Sequence, residues 1–391
     1  MTRIIAIDIL RALTMFLMIW VNDFFTLTEV PKWLEHASAT EDYLGFSDVI
    51  FPLFLFIVGL SIPFAIRNRK ASGSSDYIIG RHIVIRSLSL LLIGVFMVNY
   101  ETAHHESIAG GKYLWGLLMA TAVMLLWMNW KKSPLTKKQY VLARLTGLLL
   151  LIILVFLYRG GDDGSMGMRT HWWGILGLIG WAYLVNALVH LWSKGNWILV
   201  ILMFVIFNGL AVLSHSGILQ QPTGMLSYFS VIYQGSIPAF TAAGVLAGMI
   251  MDQQSNRPHL ATVLILVLLG LGCLVYGIAF KPIWGISKIQ ATPAWVGICT
   301  GIGFLMTAIL YIISDMMRQT NWAKIIMPAG TATLTCYMIP YFVYPLREMI
   351  PFRLPQELNR GFVGLLVSLG FALGVVLFTG WMERKNYKLK I

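Results

Sequence analysis

The apolar segments of this chain limit its fold more than any other feature. Hydrophobic residues occupy 58% of its 391 positions and charged residues only 12%, whereas soluble domains carry about 25% charged residues. The apolar residues form continuous runs of about the 20 residues that a helix needs to cross the bilayer core. We therefore predict an all-α, polytopic integral membrane bundle of twelve transmembrane helices, at residues 5–24, 46–66, 82–100, 113–130, 141–158, 173–193, 197–213, 236–251, 260–280, 294–314, 327–346 and 362–381.

The distribution of Lys and Arg predicts the orientation of these helices. Cytoplasmic loops are enriched in positive charge, and a cytoplasmic N-terminus places most of the basic residues on that side, beginning with Arg67, Arg69, Lys70 and Arg81. Both termini are then cytoplasmic, and the loop after the first helix faces the outside. The same pattern accounts for the net charge of +12, so no nucleic-acid partner is expected. With neither an internal repeat nor a long linker, residues 1–391 are interpreted as one integral membrane domain.

The outer loop after the first helix contains the best candidate for a catalytic group. His36 lies there, and Asp48 stands at the start of the second helix. An imidazole transfers protons near neutral pH, and a neighbouring carboxylate can orient it as a general base. Asp48 is placed either to cap the second helix or to bind His36. A histidine that only satisfies loop hydrogen bonds is the alternative.

The first helix carries polar residues within an apolar run. Asp8 and Arg11 are three positions apart, so they can pair on one face. Arg11 and Asn22 are close to three full turns apart, about 16 Å along one face. This face connects a cation near the cytoplasm with an amide near the His36 loop. A structural ion pair with an interhelical hydrogen bond explains the residues equally well.

Arg86 lies near the cytoplasmic end of the third helix. Snorkelling towards the lipid headgroups is one interpretation, and an anchor for the phosphates of an anionic ligand is the other. Metal binding is not expected, because the adjacent His104 and His105 point to different sides of a helix or strand and have no second ligand cluster at suitable spacing. The three cysteines lie in apolar runs and are expected to be buried thiols.

Three segments carry a resemblance to a known family. The sequences IDILRALTMFLMIWVN, LEHAS and FSDVIFPLFLFIVG resemble the start motifs of the heparan-α-glucosaminide N-acetyltransferase family of transmembrane acyltransferases. The similarity continues more weakly through most of the chain. Ala12 stands where the family motif has a glycine, and the segment after His36 lacks the tryptophan and glycine of the family's loop.

The resemblance implies a reaction across the membrane. In the family, an acetyl group passes from cytoplasmic acetyl-CoA to a glucosamine amine on the far side. It implies that His36 is the catalytic histidine, that Asn22 is its polar companion, and that Asp8, Arg11 and Arg86 belong to the conduit that receives CoA. Direct transfer is favoured over an acetyl-histidine intermediate. The expected location is the inner (plasma) membrane, in contact with lipids, and a homodimer is one open option.

Other functional classes also fit this topology. Twelve crossings with both ends inside are common among secondary transporters, and a flippase of a lipid-linked sugar is similar in plan. The polar residues of this chain gather in its first hundred positions, and the two halves share no repeat, which favours the acyltransferase. A purely structural membrane scaffold would leave the charges within the first helix unexplained.

Overall fold

The fold is helical in a computed structural model that describes residues 4–133, 135–253, 258–351 and 355–391. Within these ranges the α-helices are α1 (Ile5–Asn22), α2 (Phe46–Ala71), α3 (Asp76–Glu101), α4 (Gly111–Trp127), α5 (Lys137–Leu157), α6 (Ile175–Trp192), α7 (Trp197–His215), α8 (Ser230–Tyr233), α9 (Ser236–Asp252), α10 (His259–Trp284), α11 (Pro293–Tyr311), α12 (Met327–Thr331), α13 (Thr333–Met338), α14 (Pro340–Met349) and α15 (Gly361–Arg384). The predicted all-α class is confirmed.

Nine helices in the described part of the chain are long and apolar enough to cross a membrane. Each matches one of the predicted crossings. The other three predicted crossings differ. Residues 113–130 correspond to α4, which has only 17 residues. The crossing at 236–251 corresponds to α9, which is bent by 40° relative to the short helical segment before it. Residues 327–346 are divided among α12, α13 and α14. By length and composition, the count of twelve is therefore not confirmed; it is nine, or ten with the bent pair.

The chain forms two compact units. Unit 1 comprises the described residues up to Thr14, Val30–Leu88 and Leu178–Lys324, and unit 2 comprises Met15–Glu29, Ser89–Gly177 and Ile325–Ile391. The divisions fall inside α1, α3 and α6. The interpretation of residues 1–391 as one functional domain stays a prediction.

The centre of unit 1 is a close contact between α2 and α9. A Cβ atom at Gly59 would overlap the carbonyl of Thr241, and one at Gly244 would overlap the carbonyl of Phe56. Glycine is therefore required on both helices, since their backbones touch. Every residue of α9 from Ser236 to Met251 is buried. In a lipid environment, such small-residue contacts supply packing that the hydrophobic effect does not.

The helix α11 packs against both α2 and α9, and its first turn contacts the start of α2. Phe304 packs edge-on against Phe56 of α2, and Trp295 packs edge-on against Phe240 of α9. All four rings are almost completely buried. Because an aromatic pair is stabilised by its geometry as well as by its burial, these contacts fix α11 against α2 and α9.

Unit 2 is organised around the buried ring of Trp115 on α4. This ring stacks on Tyr100 of α3, and its indole N–H donates to the carbonyl of Leu154 on α5. Asn99 and Arg169 form a reciprocal pair, in which the Asn99 amide donates to the Arg169 carbonyl at 2.8 Å and accepts from its N–H at 3.0 Å. These contacts connect α3, α4, α5 and the segment before α6.

Candidate active site

The loop of residues 30–45, here called the His36 loop, folds back onto the first turn of α2. The Ser47 hydroxyl donates to the carbonyl of Leu34 at 2.5 Å, and Leu34 itself is 3% exposed. Gly45 lies directly against the carbonyl of Glu35, where a Cβ atom would overlap the oxygen. The loop is thus held to the helix by a buried apolar residue, a backbone-directed hydroxyl and a required glycine.

His36 and Asp48 are in direct contact at this turn. The distance from His36 Nδ1 to Asp48 Oδ1 is 2.7 Å. A carboxylate only accepts hydrogen bonds, so Nδ1 carries the proton and Nε2 carries the free lone pair. The His36 side chain is 44% exposed, whereas that of Asp48 is 1% exposed. This arrangement of an exposed imidazole on a buried carboxylate suits a general base.

The other oxygen of Asp48 binds the backbone. Its Oδ2 accepts from the N–H of Ala37 at 3.0 Å and from the N–H of Gly45 at 3.2 Å. Asp48 also lies in the first turn of α2, where the helix dipole favours a negative charge. Asp48 therefore both caps α2 and binds His36, as the two predicted roles require. Its role in catalysis stays a prediction.

Lys288, which the sequence reasoning did not identify, is the third member of this cluster. Its Nζ lies 3.1 Å from His36 Nδ1 and 3.9 Å from Asp48 Oδ1. Burial lowers the pKa of its ammonium group, and the nearby Asp48 carboxylate partly offsets this effect. The only sequence signal was its place in a short polar segment between two apolar runs, which gives no distance to His36.

The segment that carries Lys288 is residues 285–292, here called the Lys288 loop. The hydroxyl of Thr292 caps α11, donates to the carbonyl of Gly285 at 3.0 Å and accepts from the N–H of Ser287 at 3.1 Å. The N–H of Ile286 donates to Asp42 of the His36 loop at 2.7 Å. The two loops are thus joined to each other as well as internally braced.

Trp295 supports the cluster from below. Its indole N–H donates to the backbone carbonyl of Asp48 at 3.1 Å, and its side chain is 1% exposed. The thiol of Cys299 lies one turn further along α11 and is 1% exposed. Trp295 therefore anchors the first turn of α2 from the buried side.

Asn22 ends α1 and belongs to unit 2, whereas His36 belongs to unit 1. Asn22 is half-buried. The next residue, Asp23, accepts a hydrogen bond from the Tyr344 hydroxyl at 2.9 Å. The expected proximity of Asn22 to His36 therefore stays a prediction.

Asp8 and Arg11 form the predicted i, i+3 pair on α1. The distance from Arg11 Nη1 to Asp8 Oδ1 is 3.6 Å, and Arg11 Nη2 donates to the hydroxyl of Ser61 on α2 at 2.6 Å. Ser61 lies thirteen residues after Asp48, so Arg11 meets α2 about 20 Å along the helix from the His36 site. Asp8 and Arg11 thus join α1 to the far half of α2.

Arg86 lies elsewhere in unit 1. Its guanidinium sits 5.0 Å from the centre of the Tyr183 ring on α6, and its side chain is exposed. Arg11 of α1 therefore contacts α2, whereas Arg86 of α3 contacts α6. A planar guanidinium held on an aromatic face keeps its edges available to an anion.

Comparison with known proteins identifies one family. The family model for heparan-alpha-glucosaminide N-acetyltransferase, catalytic, matches residues 3–282. This match covers more than half of the chain and includes His36, Asp48, Asn22, Arg11 and Arg86, but it ends before Lys288. A search of curated proteins found no match.

Proposed function

Because the chain belongs to the heparan-alpha-glucosaminide N-acetyltransferase family, we propose that it transfers an acetyl group from cytoplasmic acetyl-CoA to the amine of an amino sugar on the outer side of the membrane. The observation that carries this proposal is the 2.7 Å contact between His36 and the buried Asp48. It leaves Nε2 of a half-exposed imidazole as the free proton acceptor. The proposed location is the plasma (inner) membrane.

His36 acts as the general base in the proposed reaction. Its Nε2 takes a proton from the amine as the nitrogen lone pair attacks the thioester carbonyl carbon. The carbon–sulfur bond then breaks with its electron pair on sulfur, and the same proton passes from Nε2 to the CoA thiolate. Asp48 holds the imidazole in the required tautomer and stabilises its charged form. Base catalysis of this kind contributes about 10²–10⁴-fold to a rate.

Asn22 is proposed to donate a hydrogen bond to the oxyanion that develops on the carbonyl. A single donor in such a position contributes about 2.7–4 kcal/mol. Support comes from its position at the last residue of α1, one residue before the loop segment that leads towards His36. Asn22→Ala is expected to lower kcat and to leave the affinity for CoA unchanged.

Arg86 and Arg11 are proposed to receive CoA from the cytoplasmic side. The exposed guanidinium of Arg86 on Tyr183 offers planar donors to a phosphate. Arg11, oriented by Asp8, lies between the far half of α2 and α1, on the path that the pantetheine arm would follow. Removal of either arginine is expected to raise the KM for acetyl-CoA more than it lowers kcat.

Twelve crossings are proposed for this chain, and contacts between loops support the count. Two loops in contact lie on the same side of a bilayer, so an even number of crossings separates them. Ala103 and Gly160 form an isolated backbone bridge, and only α4 and α5 lie between them. Since α5 is long enough to cross, this contact supports a second crossing by the short α4.

The same argument extends to the two remaining segments. The N–H of Tyr43 donates to the carbonyl of Ile286. Seven proposed crossings, α2–α7 and α10, separate these residues, which supports α9 as the eighth. Thr28 bridges to Arg360, and one further crossing by α12–α14 together would keep that number even. With α1 and α15, the total is twelve, and both termini face the same side. The positive-inside rule makes that side the cytoplasm.

The first experiment compares His36→Ala with His104→Ala in detergent-purified protein. His104 lies in another outer loop of the proposed topology, where its side chain bonds to Ser107 of the same loop. We expect His36→Ala to lose acetyl transfer to glucosamine while CoA still raises its Tm, because a ligand that binds the folded state stabilises it. His104→Ala should retain activity. Full activity in a folded His36→Ala protein would refute the assignment.

The acceptor class follows from the family. A terminal glucosamine, free or on a glycosaminoglycan-type chain, is the proposed acceptor. A screen of amino sugars against their N-acetylated forms and neutral sugars tests this point, because only the free amine can be acetylated. Stabilisation by sugars and none by CoA would instead favour a transporter. A homodimer stays a prediction.

A further inference from the structure

The structure holds Lys288 at the His36–Asp48 pair through hydrogen bonds of the residues on both sides of it. Two residues before Lys288, the N–H of Ile286 donates to Asp42 at 2.7 Å. Two residues after it, the side-chain amide of Gln290 donates to the carbonyl of Ala39 at 2.8 Å. Both contacts join the Lys288 loop to the His36 loop. Because the two loops are joined on both sides of Lys288 and its side chain is only 25% exposed, Nζ is held close to His36.

The charged and titratable groups of the cluster around His36 and Asp48 come from three elements. Asp48 belongs to α2, Lys288 to the Lys288 loop, and the buried thiol of Cys299 to α11. The other charged side chains of the His36 loop and their partners are the ion pairs Lys32–Glu41 and Asp42–Lys281 and the exposed Glu35. In the part of the chain that the structure describes, Lys288 therefore brings a positive charge to within 3.1 Å of the imidazole.

Resting on the proposed function, we infer that Lys288 is a positioning residue that opposes the imidazolium form of His36 and drives the accepted proton onwards to the CoA thiolate. Its charge lies 3.1 Å from Nδ1 and repels the imidazolium form. Asp48 attracts that same form. The balance of the two charges sets how readily Nε2 holds a proton.

This balance matters at both halves of proton transfer. When Nε2 accepts the amine proton, the cluster carries a positive imidazolium, a negative carboxylate and a positive ammonium. The repulsion from Lys288 disfavours this state and assists the return of the proton to the leaving sulfur. Without the lysine, only the attraction of the Asp48 carboxylate would act on the imidazolium, and the return of the proton to sulfur would lose this assistance.

Lys288 lies beyond residue 282, where the family match ends. The inference therefore comes from the contacts of this chain alone. A purely structural role would not account for a lysine at this position. Asp48 already accepts three other hydrogen bonds, and a cation 3.9 Å away adds little to the structure of the loop.

The test measures kcat/KM for the amino sugar against pH in Lys288→Met, Lys288→Arg and Lys281→Met. Lys281 is the matched control, because it lies nearby but pairs with Asp42 rather than with His36. We expect Lys288→Met to move the low-pH limb upwards by about one pH unit, the Coulomb effect of one screened charge at this distance. Lys288→Arg should keep the limb within a few tenths of a unit of wild type, and Lys281→Met should not move it.

An unchanged limb in a folded Lys288→Met protein would overturn the inference. If that variant does not fold, Lys288→Gln replaces it with the same expectation, and a Lys288→Arg limb displaced as far as that of the neutral variant also overturns it. Failure of the proposed function has a different signature, since His36→Ala would then remain active whatever happens at Lys288.

Discussion

Replacing Asp48 with asparagine tests the geometry of the site most directly. The Oδ2 atom of Asp48 accepts two backbone N–H groups, from Ala37 and Gly45. The single oxygen of an asparagine must stay there, because the opposite orientation would point an NH₂ group at two donors. The amide nitrogen then faces His36 Nδ1. The imidazole must accept at Nδ1 and move its proton to Nε2.

The expected loss of activity follows from this change of tautomer. A protonated Nε2 cannot accept the amine proton, and Lys288 at 3.1 Å can donate to the exposed lone pair of Nδ1 and hold the wrong tautomer in place. The equivalent substitution in the Ser–His–Asp triad lowers kcat about 10⁴-fold. His36 is 44% exposed and can rotate more freely, so we expect a loss of about 10²–10³-fold, within the range for general base catalysis.

Stability should change much less than activity. Both backbone N–H groups keep an acceptor in Asp48→Asn, so the loss is the charged part of these bonds, roughly 1–3 kcal/mol of the free energy of unfolding. The assay is acetyl transfer to glucosamine in detergent, with Tm measured on the same samples. Asp42→Asn is the matched control, since Asp42 lies in the same loop but accepts from Ile286. A folded Asp48→Asn protein within threefold of wild-type activity would refute the reasoning.

Three further predictions concern stability. Gly244→Ala should lower the free energy of unfolding by about 1–3 kcal/mol through overpacking against Phe56. Gly209→Ala, in a position with open space, should leave it unchanged. Equal Tm values for the two variants would contradict the close packing of α2 and α9. Trp295→Phe removes one buried hydrogen bond and should lower the unfolding free energy by about 1 kcal/mol, measured by denaturant titration. Burial lowers the pKa of Lys288 in the folded state, so the unfolded state binds more protons between the folded pKa and 10.5. The free energy of unfolding should therefore rise with pH across that window. Lys288→Met should flatten this rise, and an unchanged slope in that variant would contradict the prediction.

The fold class could be predicted because hydropathy and length alone specify a membrane helix. The interruption of α12–α14 could not. The predicted crossing at 327–346 carries no charged residue, but Ala332 adopts φ −124° and ψ 46° between two helices, and Pro340 begins the third. Apolar composition is insensitive to a change of backbone direction, so a broken helix and a straight one have the same hydropathy.

The site was only half accessible from the sequence. His36 and Asp48 are twelve residues apart and separated by one loop, so a helix start and a nearby histidine were enough to suggest their contact. Lys288 is 252 residues from His36, and nothing in its local pattern distinguishes it from an ordinary loop lysine. The contact depends on the packing of α11 against α2 and α9, which no local pattern encodes.

The union of the two loops has a consequence for synthesis. Asp42 and Ile286 are 244 positions apart, and most of the helices are made between them. A ribosome must therefore deliver the greater part of the chain before the cation can reach the imidazole. We expect a nascent or truncated polypeptide to expose His36 without Lys288 beside it, and catalytic activity to appear only late in biogenesis.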